Sequence, residues 1–330
     1  MSKNNTVLGT ILGDHAGIGP EIAIKAALAT EGYIPLFIGN RAAFEKSLAL
    51  VPSSNKLKFV DWTDTNEKPS QPGSVYFHNV PGGANISFGN ISSDSGRLCY
   101  DGIIRGLDLE RNGVVDALVM EPITKQSLHH AGLKYSSEND IFADYYHKDS
   151  VPAVIKCKDI FRATVVGHYA FREIIGRLST AGILSAAHRL LDIMSRYLGR
   201  EHCKIAISAL NPHAGEDGLF GDEEIRIITP AVQQLLEEKV QVIGPCSADT
   251  VFLKAVYGEV GGVVFLYHDQ GNIAMKARNF GEGVLIYSGI PADIVSVGHG
   301  SALDIAGKGI ADEKNTVEAI ETGLSLIERR

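Results

Sequence analysis

Short apolar runs alternate with amphipathic stretches along almost the whole chain. The apolar runs, rich in β-branched and aromatic residues, predict strands, at 7–12, 34–38, 74–77, 115–120, 152–155, 162–166, 204–209, 240–243, 261–267 and 283–288. Apolar residues at helical spacing predict helices, at 19–29, 40–50, 96–112, 179–198, 222–238, 248–257 and 313–328. This alternation of strands and helices favours βαβ units built around a mainly parallel sheet.

Length and charge narrow the class of protein. A chain of 330 residues has room for about two domains. Its 45% apolar and 21% charged residues are typical of a soluble globular protein. The net charge of −8 and the lack of a Lys/Arg stripe argue against a nucleic-acid partner, whereas a small-molecule substrate fits.

The cysteines and the apolar runs bear on location. Cys99, Cys157, Cys203 and Cys246 form no Cys-x-x-Cys pair, which favours reduced thiols over a disulfide framework. No apolar run approaches the roughly 18–20 residues of a membrane span, and the first residues lack the pattern of a signal peptide. We therefore expect a cytoplasmic protein without a membrane partner.

Three histidines, His168, His213 and His268, each follow a predicted strand and precede turn-forming residues. In an α/β protein, the carboxyl ends of the strands meet at one crevice, where ligands bind. Three neutral imidazoles that leave one coordination position open make a catalytic site for a divalent metal. The alternative is three unrelated histidines, each hydrogen-bonded locally, but the acidic neighbours of the set favour the metal site.

Charged residues near these histidines supply further chemistry. Asp269 follows His268 directly, and Asp249 precedes a predicted helix. Carboxylates beside metal-bound imidazoles orient them or move protons, although Asp249 suits a helix N-cap equally well. Lys276, eight residues beyond His268, can neutralise a substrate anion or donate a proton. Its alternative is a solvated surface lysine.

Two glycine-rich segments are candidates for holding a nucleotide. The first, Gly13-Asp-His-Ala-Gly-Ile-Gly-Pro-Glu21, lies between the first predicted strand and the first helix, where backbone amides are open to an anion. It matches neither the dinucleotide fingerprint nor a P-loop. The second, 298–307, places backbone amides, a hydroxyl and an imidazole on one surface through His299, Gly300, Ser301 and Ala302. A purely structural turn is the alternative for each.

Several of these pieces together resemble the 4-hydroxythreonine-4-phosphate dehydrogenase family. The most specific are Asn211-Pro-His-Ala-Gly-Glu216 and Tyr267-His-Asp-Gln-Gly271, in this order along the chain. Supporting pieces are the Gly13–Glu21 loop, Pro122-x-x-Lys125, Phe220-Gly-Asp-Glu-Glu224 and His299-Gly-Ser-Ala302. The resemblance covers nearly the whole chain.

The resemblance implies an isocitrate/isopropylmalate dehydrogenase-like fold, with two α/β/α domains, mainly parallel sheets and an interdomain cleft. We place the first domain, on the cofactor side, at 1–130 plus 300–330. The second, at 131–299, would carry the metal ligands and the dimer interface. The family also implies a homodimer whose active site lies at the subunit interface.

The resemblance further implies the cofactors. A divalent metal would be held by the three histidines, with Asp249 and Asp269 beside it. NAD would be bound through Gly17 and the 299–302 loop, which is similar to the His-Gly-Thr-Ala loop that holds the adenine end of the cofactor in isocitrate and isopropylmalate dehydrogenases. The sequence does not choose among zinc, magnesium, manganese and cobalt.

Departures from the family pattern fall on the substrate residues. Glu138 and Asn139 replace a His and a Thr that contact substrate. Leu285 and Ile294 replace an Asn and an Arg that help to bind a phosphorylated substrate, and Lys276 alone of that set remains. Loss of the guanidinium removes a bidentate phosphate clamp. We therefore expect a paralogue with a new, unphosphorylated substrate, as in the family members that oxidise the cis-dihydrodiol of terephthalate.

Two smaller departures lie near the first glycine-rich segment. His15 stands where the family has Pro, and Glu121 replaces a small residue before Pro122. Both bear on how substrate or cofactor is bound.

The reaction that these features favour is a metal-dependent oxidation, by NAD, of a secondary alcohol in a hydroxy-acid or diol-acid substrate. The metal would lower the pKa of the substrate hydroxyl, and Lys276, Asp249 or Asp269 would move the protons. Decarboxylation follows if a carboxylate lies β to the new ketone. Two alternatives stay open: a three-histidine metal lyase such as an aldolase, which needs no NAD, and a non-catalytic binding paralogue.

Overall fold

The computed structural model describes residues 5–63, 67–83, 86–199, 203–278 and 283–329. The strands in these ranges are β1 (Val7–Ile11), β2 (Ile34–Gly39), β3 (Lys58–Asp61), β4 (Ser74–Asn79), β5 (Ala117–Met120), β6 (Ala153–Cys157), β7 (Ile160–Val166), β8 (Ile205–Ser208), β9 (Val242–Cys246), β10 (Gly262–Tyr267), β11 (Val284–Tyr287) and β12 (Ile294–Val297). The α-helices are α1 (Gly19–Ala29), α2 (Arg41–Leu48), α3 (Ser93–Arg111), α4 (Lys125–His130), α5 (Glu138–Tyr146), α6 (Phe171–Arg177), α7 (Thr180–Leu198), α8 (Thr229–Glu237), α9 (Val251–Val256), α10 (His268–Arg278) and α11 (Lys314–Glu328).

The chain forms two compact units. Unit 1 comprises Met1–Pro152 and Gly289–Arg330, and unit 2 comprises Ala153–Ser288. The assignment of one domain to the cofactor and the other to the metal, with boundaries after residue 130 and before residue 300, stays a prediction.

Unit 1 contains a fully parallel sheet in the order β3-β4-β2-β1-β5-β12. Every residue of β1 and β2 is buried, as expected for parallel strands covered on both faces. An aromatic cluster of Phe37, Phe44 and Phe77 packs on one face, with ring centroids 4.8–5.6 Å apart for the contacting pairs. Because β1 and β5 are parallel neighbours, their carboxyl ends and the loops that follow lie at the same edge of the sheet.

Unit 2 contains a mixed sheet in the order β11-β6-β7-β10-β8-β9. The pairs β11–β6 and β6–β7 are antiparallel, whereas β7, β10, β8 and β9 run parallel. The long helix α7 begins at the N-cap Ser179, whose hydroxyl accepts a hydrogen bond from the Gly182 amide. It buries an apolar stripe that includes Ile183, Leu190 and Met194. The parallel strands direct their carboxyl ends to the same edge of the sheet.

The predicted α/β class with a mainly parallel sheet is confirmed, and each predicted strand and helix overlaps an observed one. The pattern missed β3 and β12, which are only four residues long. It also missed α4, α5, α6 and α10. In α10, polar residues and a glycine obscure the apolar spacing.

Two further expectations can be compared with the structure. All four cysteines are free thiols, and three of them are buried. Among the residues described above, no helix combines the length and the apolarity needed to cross a bilayer.

Candidate active site

Two of the three candidate histidines lie side by side in unit 2. His268 follows β10 directly, and His168 follows the end of β7 by two residues. The strands are parallel neighbours with Tyr267 opposite Val166, so their carboxyl ends meet. The imidazole centroids of His168 and His268 are 4.6 Å apart, with the ring planes inclined by 46°. Both rings reach solvent, which leaves them accessible to a ligand.

Asp269 orients one of these rings. Oδ1 of Asp269 lies 2.6 Å from Nδ1 of His268. Because an ionised carboxylate only accepts hydrogen bonds, His268 donates through Nδ1. Nε2 of a neutral His268 then carries the free lone pair, which is the arrangement that metal-bound histidines usually show. The pair of imidazoles and this carboxylate suit part of a divalent-metal site.

His213 lies on an exposed turn at 212–218 that follows β8. Its ring is 6.4 Å from that of Phe220, centroid to centroid. Within the part of the chain that the structure describes, no three His, Cys, Asp or Glu side chains lie close enough together to hold one metal ion. The single chain thus brings two of the three predicted ligands together but does not assemble the trio, and the three-histidine site stays a prediction.

The other two charged candidates of unit 2 are exposed. Asp249 follows β9, and the N-cap position of α9 belongs to Thr250, which makes no side-chain capping bond. Lys276 lies near the end of α10. The rise of a helix puts it about 12 Å along the axis from His268, so its side chain would have to extend back towards the imidazoles.

The four replaced substrate residues occupy different environments. Ile294 is fully buried in β12, and Leu285 is half-buried in β11, opposite Ile155. The side-chain amide of Asn139 donates to the carbonyl oxygen of Val151 at 3.0 Å. Ile294 and Asn139 thus have structural contacts of their own.

Glu138 is a partly buried acid at the start of α5. Its charge helps to raise the pKa of the Cys99 thiol, for which burial is the main cause and Asp14 the next. Glu138 therefore places negative charge near the buried Cys99 thiol of unit 1.

The two glycine-rich segments of unit 1 pack directly on each other. The Ile18 amide donates to the carbonyl oxygen of Ser301 at 3.0 Å. A Cβ atom on Gly17 would lie 2.6 Å from Cβ of Ser301 and 2.7 Å from its carbonyl oxygen, so this contact requires glycine. The Thr124 hydroxyl donates to that of Ser301 at 2.9 Å. The predicted cofactor residues Gly17 and Ser301 are thus brought together.

The remaining residues of the 299–302 loop complete its local structure. Nδ1 of His299 lies 3.0 Å from the carbonyl oxygen of Gly300. Gly300 is exposed, and Ala302 takes a left-handed backbone with φ 42°. The loop therefore places a partly exposed imidazole and the exposed Gly300 beside the Gly17–Ser301 contact.

Hydrogen bonds to buried polar groups hold the 13–19 loop in place. The carboxylate of Asp14 accepts hydrogen bonds from the Ala16 amide at 2.9 Å and from the hydroxyls of Ser95 and Ser127. Because the fully buried Asp14 is so well supplied with donors, it fixes the loop and does not face a ligand.

His15 is a structural histidine of the same loop. Its Nε2 accepts from the Asn40 amide at 2.9 Å, and Nδ1 then carries the proton and donates to the Gly13 carbonyl at 3.1 Å. Burial lowers its pKa to about 4. His15 is therefore neutral and binds the loop to the end of β2.

Glu121, at the end of β5, is also fully buried. The hydroxyl of Thr316 donates to its Oε2 at 3.1 Å. Burial raises the pKa of Glu121 to about 8, with the Thr316 hydrogen bond acting in the opposite direction. At neutral pH this side chain is a carboxylic acid inside unit 1, not a substrate ligand.

Three residues that contact the candidate segments, one in unit 1 and two in unit 2, had no role predicted from the sequence. They are Thr124, which contacts Ser301; Gln270, which donates to the carbonyl oxygen of Ala209 at 2.8 Å; and Glu224, which contacts the backbone before His213. Each lies inside one of the quoted motifs, so the signal was present, but its partner lies far away along the chain.

Comparison with known proteins finds relatives along almost the whole chain. The family model described as pyridoxal phosphate biosynthetic protein PdxA matches residues 31–323. A 4-hydroxythreonine-4-phosphate dehydrogenase from Desulforapulum autotrophicum is 34% identical over 97% of this chain and 95% of its own length. A D-threonate 4-phosphate dehydrogenase from Salmonella typhimurium is 34% identical over 96% of this chain and 97% of its own. The crystal structure of a 4-hydroxythreonine-4-phosphate dehydrogenase from Klebsiella pneumoniae superposes with a TM-score of 0.85 at 31% identity, covering 100% of this chain and 99% of that one.

Proposed function

The chain belongs to the PdxA family of pyridoxal phosphate biosynthetic proteins, and from this premise we propose that it is a metal-dependent NAD oxidoreductase acting on a secondary alcohol. The predicted family is confirmed. The named relatives are dehydrogenases, which makes the chain a dehydrogenase-type enzyme. The metal, the cofactor and the substrate are parts of the proposal.

The observation that carries the proposal is the pair of adjacent, accessible imidazoles of His168 and His268, 4.6 Å apart. Neutral imidazoles are common ligands of zinc, cobalt and other divalent metals. A cation held by these rings would supply Lewis-acid chemistry, which would lower the pKa of a substrate hydroxyl and favour decarboxylation where a carboxylate lies β to the new ketone. The chain's own part is to hold the rings: Asp269 fixes the Nδ1–H form of His268 and keeps Nε2 available.

Proton movement falls to charged side chains of the same unit. Asp269, Asp249 and Lys276 are exposed and are the candidates to accept or return a proton. Asp269 is already engaged with His268, which makes Asp249 and Lys276 the freer groups for that role.

NAD would be bound on unit 1, through Gly17 and the His299–Ala302 loop. The close contact of Gly17 with Ser301 and the hydrogen bond from Thr124 support this assignment. They hold the 13–19 segment against the 299–302 loop, in which His299 is partly exposed and Gly300 is exposed. Hydride transfer to the nicotinamide then requires the substrate carbon to be held next to it.

We also propose a homodimer in which the metal site is completed at the subunit interface by the third ligand, His213. Unit 2 exposes several large apolar side chains, which is typical of a surface covered by a partner. Phe171 is 74% exposed and Leu219, close to the His213 turn, is 71% exposed. Burial of this surface against a second copy of the chain would place the 212–218 turn, and His213 with it, at the subunit interface.

The proposed substrate is an unphosphorylated hydroxy acid or diol acid. Both named relatives act, by their names, on phosphate esters, but Leu285 and Ile294 offer no charge to a phosphate. The negative charge of Glu138 would repel a phosphate group. Lys276 remains as the cation that would bind the substrate carboxylate.

A titration of the purified protein with NADH tests the proposal first, because a metal lyase would not bind it. Diol acids and hydroxy acids with and without a phosphate ester are then assayed by NADH absorbance, with and without a chelator. We expect NADH binding, chelator-sensitive turnover and preference for the unphosphorylated compounds. Strong preference for a phosphate ester would overturn the substrate assignment, and NADH binding without any turnover would indicate a binding paralogue.

A further inference from the structure

The turn that carries His213 is held by one buried carboxylate, and we propose that Glu224 is a positioning residue that sets the orientation of His213 for metal binding. This inference rests on the proposed function, in which His213 is a metal ligand. Glu224 itself would touch neither the metal nor the substrate. It would act through the backbone of the turn.

The contacts of Glu224 converge on the residues just before the turn. Its Oε1 accepts hydrogen bonds from the backbone amides of Leu210 and Asn211, both at 2.8 Å. Its Oε2 accepts from the side-chain amide of Asn211, also at 2.8 Å. Glu224 is 3% exposed, and hydrogen bonds to an ionised acceptor are stronger than those between neutral groups. Two backbone donors and one side chain are thus tied to a single group.

The turn itself needs such a support. All five residues from His213 to Asp217 have left-handed backbone, with φ between 43° and 78°. Four of them carry a Cβ, and this conformation is unfavourable for L-residues. Strained backbone of this kind persists only where its surroundings fix it, and it occurs often at functional sites.

Gly215, the one residue of these five without a Cβ, shows how closely the turn approaches the carboxylate of Glu224. A Cβ atom on Gly215 would lie 2.8 Å from Oε2 of Glu224. Only glycine fits between the turn and the acid without displacing one of them. The carboxylate therefore contacts the turn at two places: it accepts hydrogen bonds from the residues before His213, and it packs against Gly215 in the middle of the turn.

Glu224 lies in a segment that is packed against the core of unit 2. It is the first residue of a π-helical turn, Glu224–Ile228, that runs into α8. Ile228 is fully buried, and the Thr180 hydroxyl at the start of α7 donates to the Ile227 carbonyl at 3.0 Å. Single π turns within helices often occur at functional sites. This one connects the turn that carries His213 to the core of unit 2.

The neighbouring acid provides a matched control. Oε2 of Glu223 accepts from the Asn211 side chain at 2.7 Å, but Glu223 is partly exposed, and the Leu210 and Asn211 amides donate to Glu224. Glu223→Gln therefore makes the same chemical change one position away, while the backbone bonds of Glu224 remain.

The experiment compares Glu224→Gln, Glu223→Gln and His213→Ala in the full-length protein, with Co²⁺ as the probe. Co²⁺ affinity is measured by calorimetry and its coordination by visible absorption. Amide hydrogen exchange of Leu210 and Asn211 is followed in the metal-free protein, and NADH affinity serves as a second control. For Glu224→Gln we expect Co²⁺ binding about tenfold weaker, an altered absorption spectrum, faster exchange at both amides and unchanged NADH affinity. Glu223→Gln should show a smaller loss and an unchanged spectrum.

Wild-type Co²⁺ affinity and spectrum in Glu224→Gln would overturn the inference, provided that His213→Ala loses Co²⁺. If His213→Ala binds Co²⁺ like the wild type, the proposed function fails instead, and the hydrogen-exchange result alone decides whether Glu224 holds the turn. If Glu224→Gln does not fold, Asn211→Ala takes its place, because it removes the side-chain amide that donates to both Glu224 and Glu223, and Glu223→Gln measures the part that is due to Glu223. Weaker Co²⁺ binding in that variant supports the inference, and unchanged binding contradicts it.

Discussion

The 13–19 loop of unit 1 and the 212–218 turn of unit 2 differ in how they are supported and in what they expose. The first is anchored by buried groups on several sides: Asp14 binds two hydroxyls, His15 binds the end of β2, and Gly17 lies against Ser301. The second exposes His213 on five consecutive left-handed residues, and its main support is the single carboxylate of Glu224.

Each kind of support suits a different contribution to the proposed redox enzyme. A cofactor loop has to keep its backbone in one shape, and burial of polar anchors achieves this. A metal ligand has to project an imidazole into solvent or towards a partner, which leaves little room for burial around it. The first loop should therefore be sensitive to any added side-chain volume, whereas the second should depend on individual polar groups.

Replacement of His213 by alanine should have the largest effect. Because the side chain is exposed, the variant should remain folded, while metal affinity and turnover fall by about a hundredfold or more through loss of a ligand. Calorimetry with Co²⁺ and an NADH-linked assay measure both. His188→Ala, which removes an exposed histidine of α7 in the same unit, should leave metal affinity unchanged. Full turnover in His213→Ala would remove His213 from the site.

Gly17→Ala should damage the 13–19 loop at its contact with the 299–302 loop. The new methyl group would lie 2.6 Å from Cβ of Ser301, and overpacking of this kind destabilises a protein by about 1–3 kcal/mol. If the loop holds NAD, NADH affinity should fall by about tenfold, which corresponds to about 1.4 kcal/mol. Gly102→Ala in α3, where an added Cβ meets nothing closer than 3.8 Å, is the control. Equal NADH affinity in both variants would show that the Gly17 contact does not shape the cofactor site.

Glu121 should make unit 1 less stable as the pH rises. The folded chain keeps this carboxyl protonated up to a pKa of about 8, above the ordinary value of 4.5, so it holds more protons than the unfolded chain in between. The free energy of unfolding therefore falls from pH 4.5 to about 8, by up to about 1.4 kcal/mol per pH unit. Urea denaturation at several pH values measures the slope. Glu121→Gln should flatten it, and an unchanged slope would mean that other groups cause it.

His15 should produce a narrower effect on the acid side. Its folded pKa of about 4 lies below the ordinary value of 6.5, so the stabilising contribution of the neutral ring is complete above pH 6.5 and is lost as the pH falls through 4. Proton NMR of the His15 ring should show no titration near pH 6.5, the ordinary pKa of a histidine. Titration of the His15 ring near pH 6.5 would contradict the buried, neutral assignment.

The sequence predicted the α/β class because long buried strands such as β1 and β2 are nearly all apolar. It also placed His168 and His268 correctly at strand ends, since parallel strands share an edge. It did not reveal that Ile294 and Asn139 are committed to structural contacts, because burial of one isoleucine and a hydrogen bond to Val151 have no sequence signature. The role of Glu224 depends on a left-handed turn that no residue pattern announces.

The proposed function requires that His168 and His268 bind one divalent cation together with His213. A crystal structure of the protein with NADH and Co²⁺, in which anomalous scattering locates the metal, is the direct test of this claim. We predict a single strong peak within bonding distance of all three imidazoles, with His213 supplied by the same chain or by a second copy. A cation bound elsewhere, or His168 and His268 without a metal between them in the assembled protein, would contradict the claim.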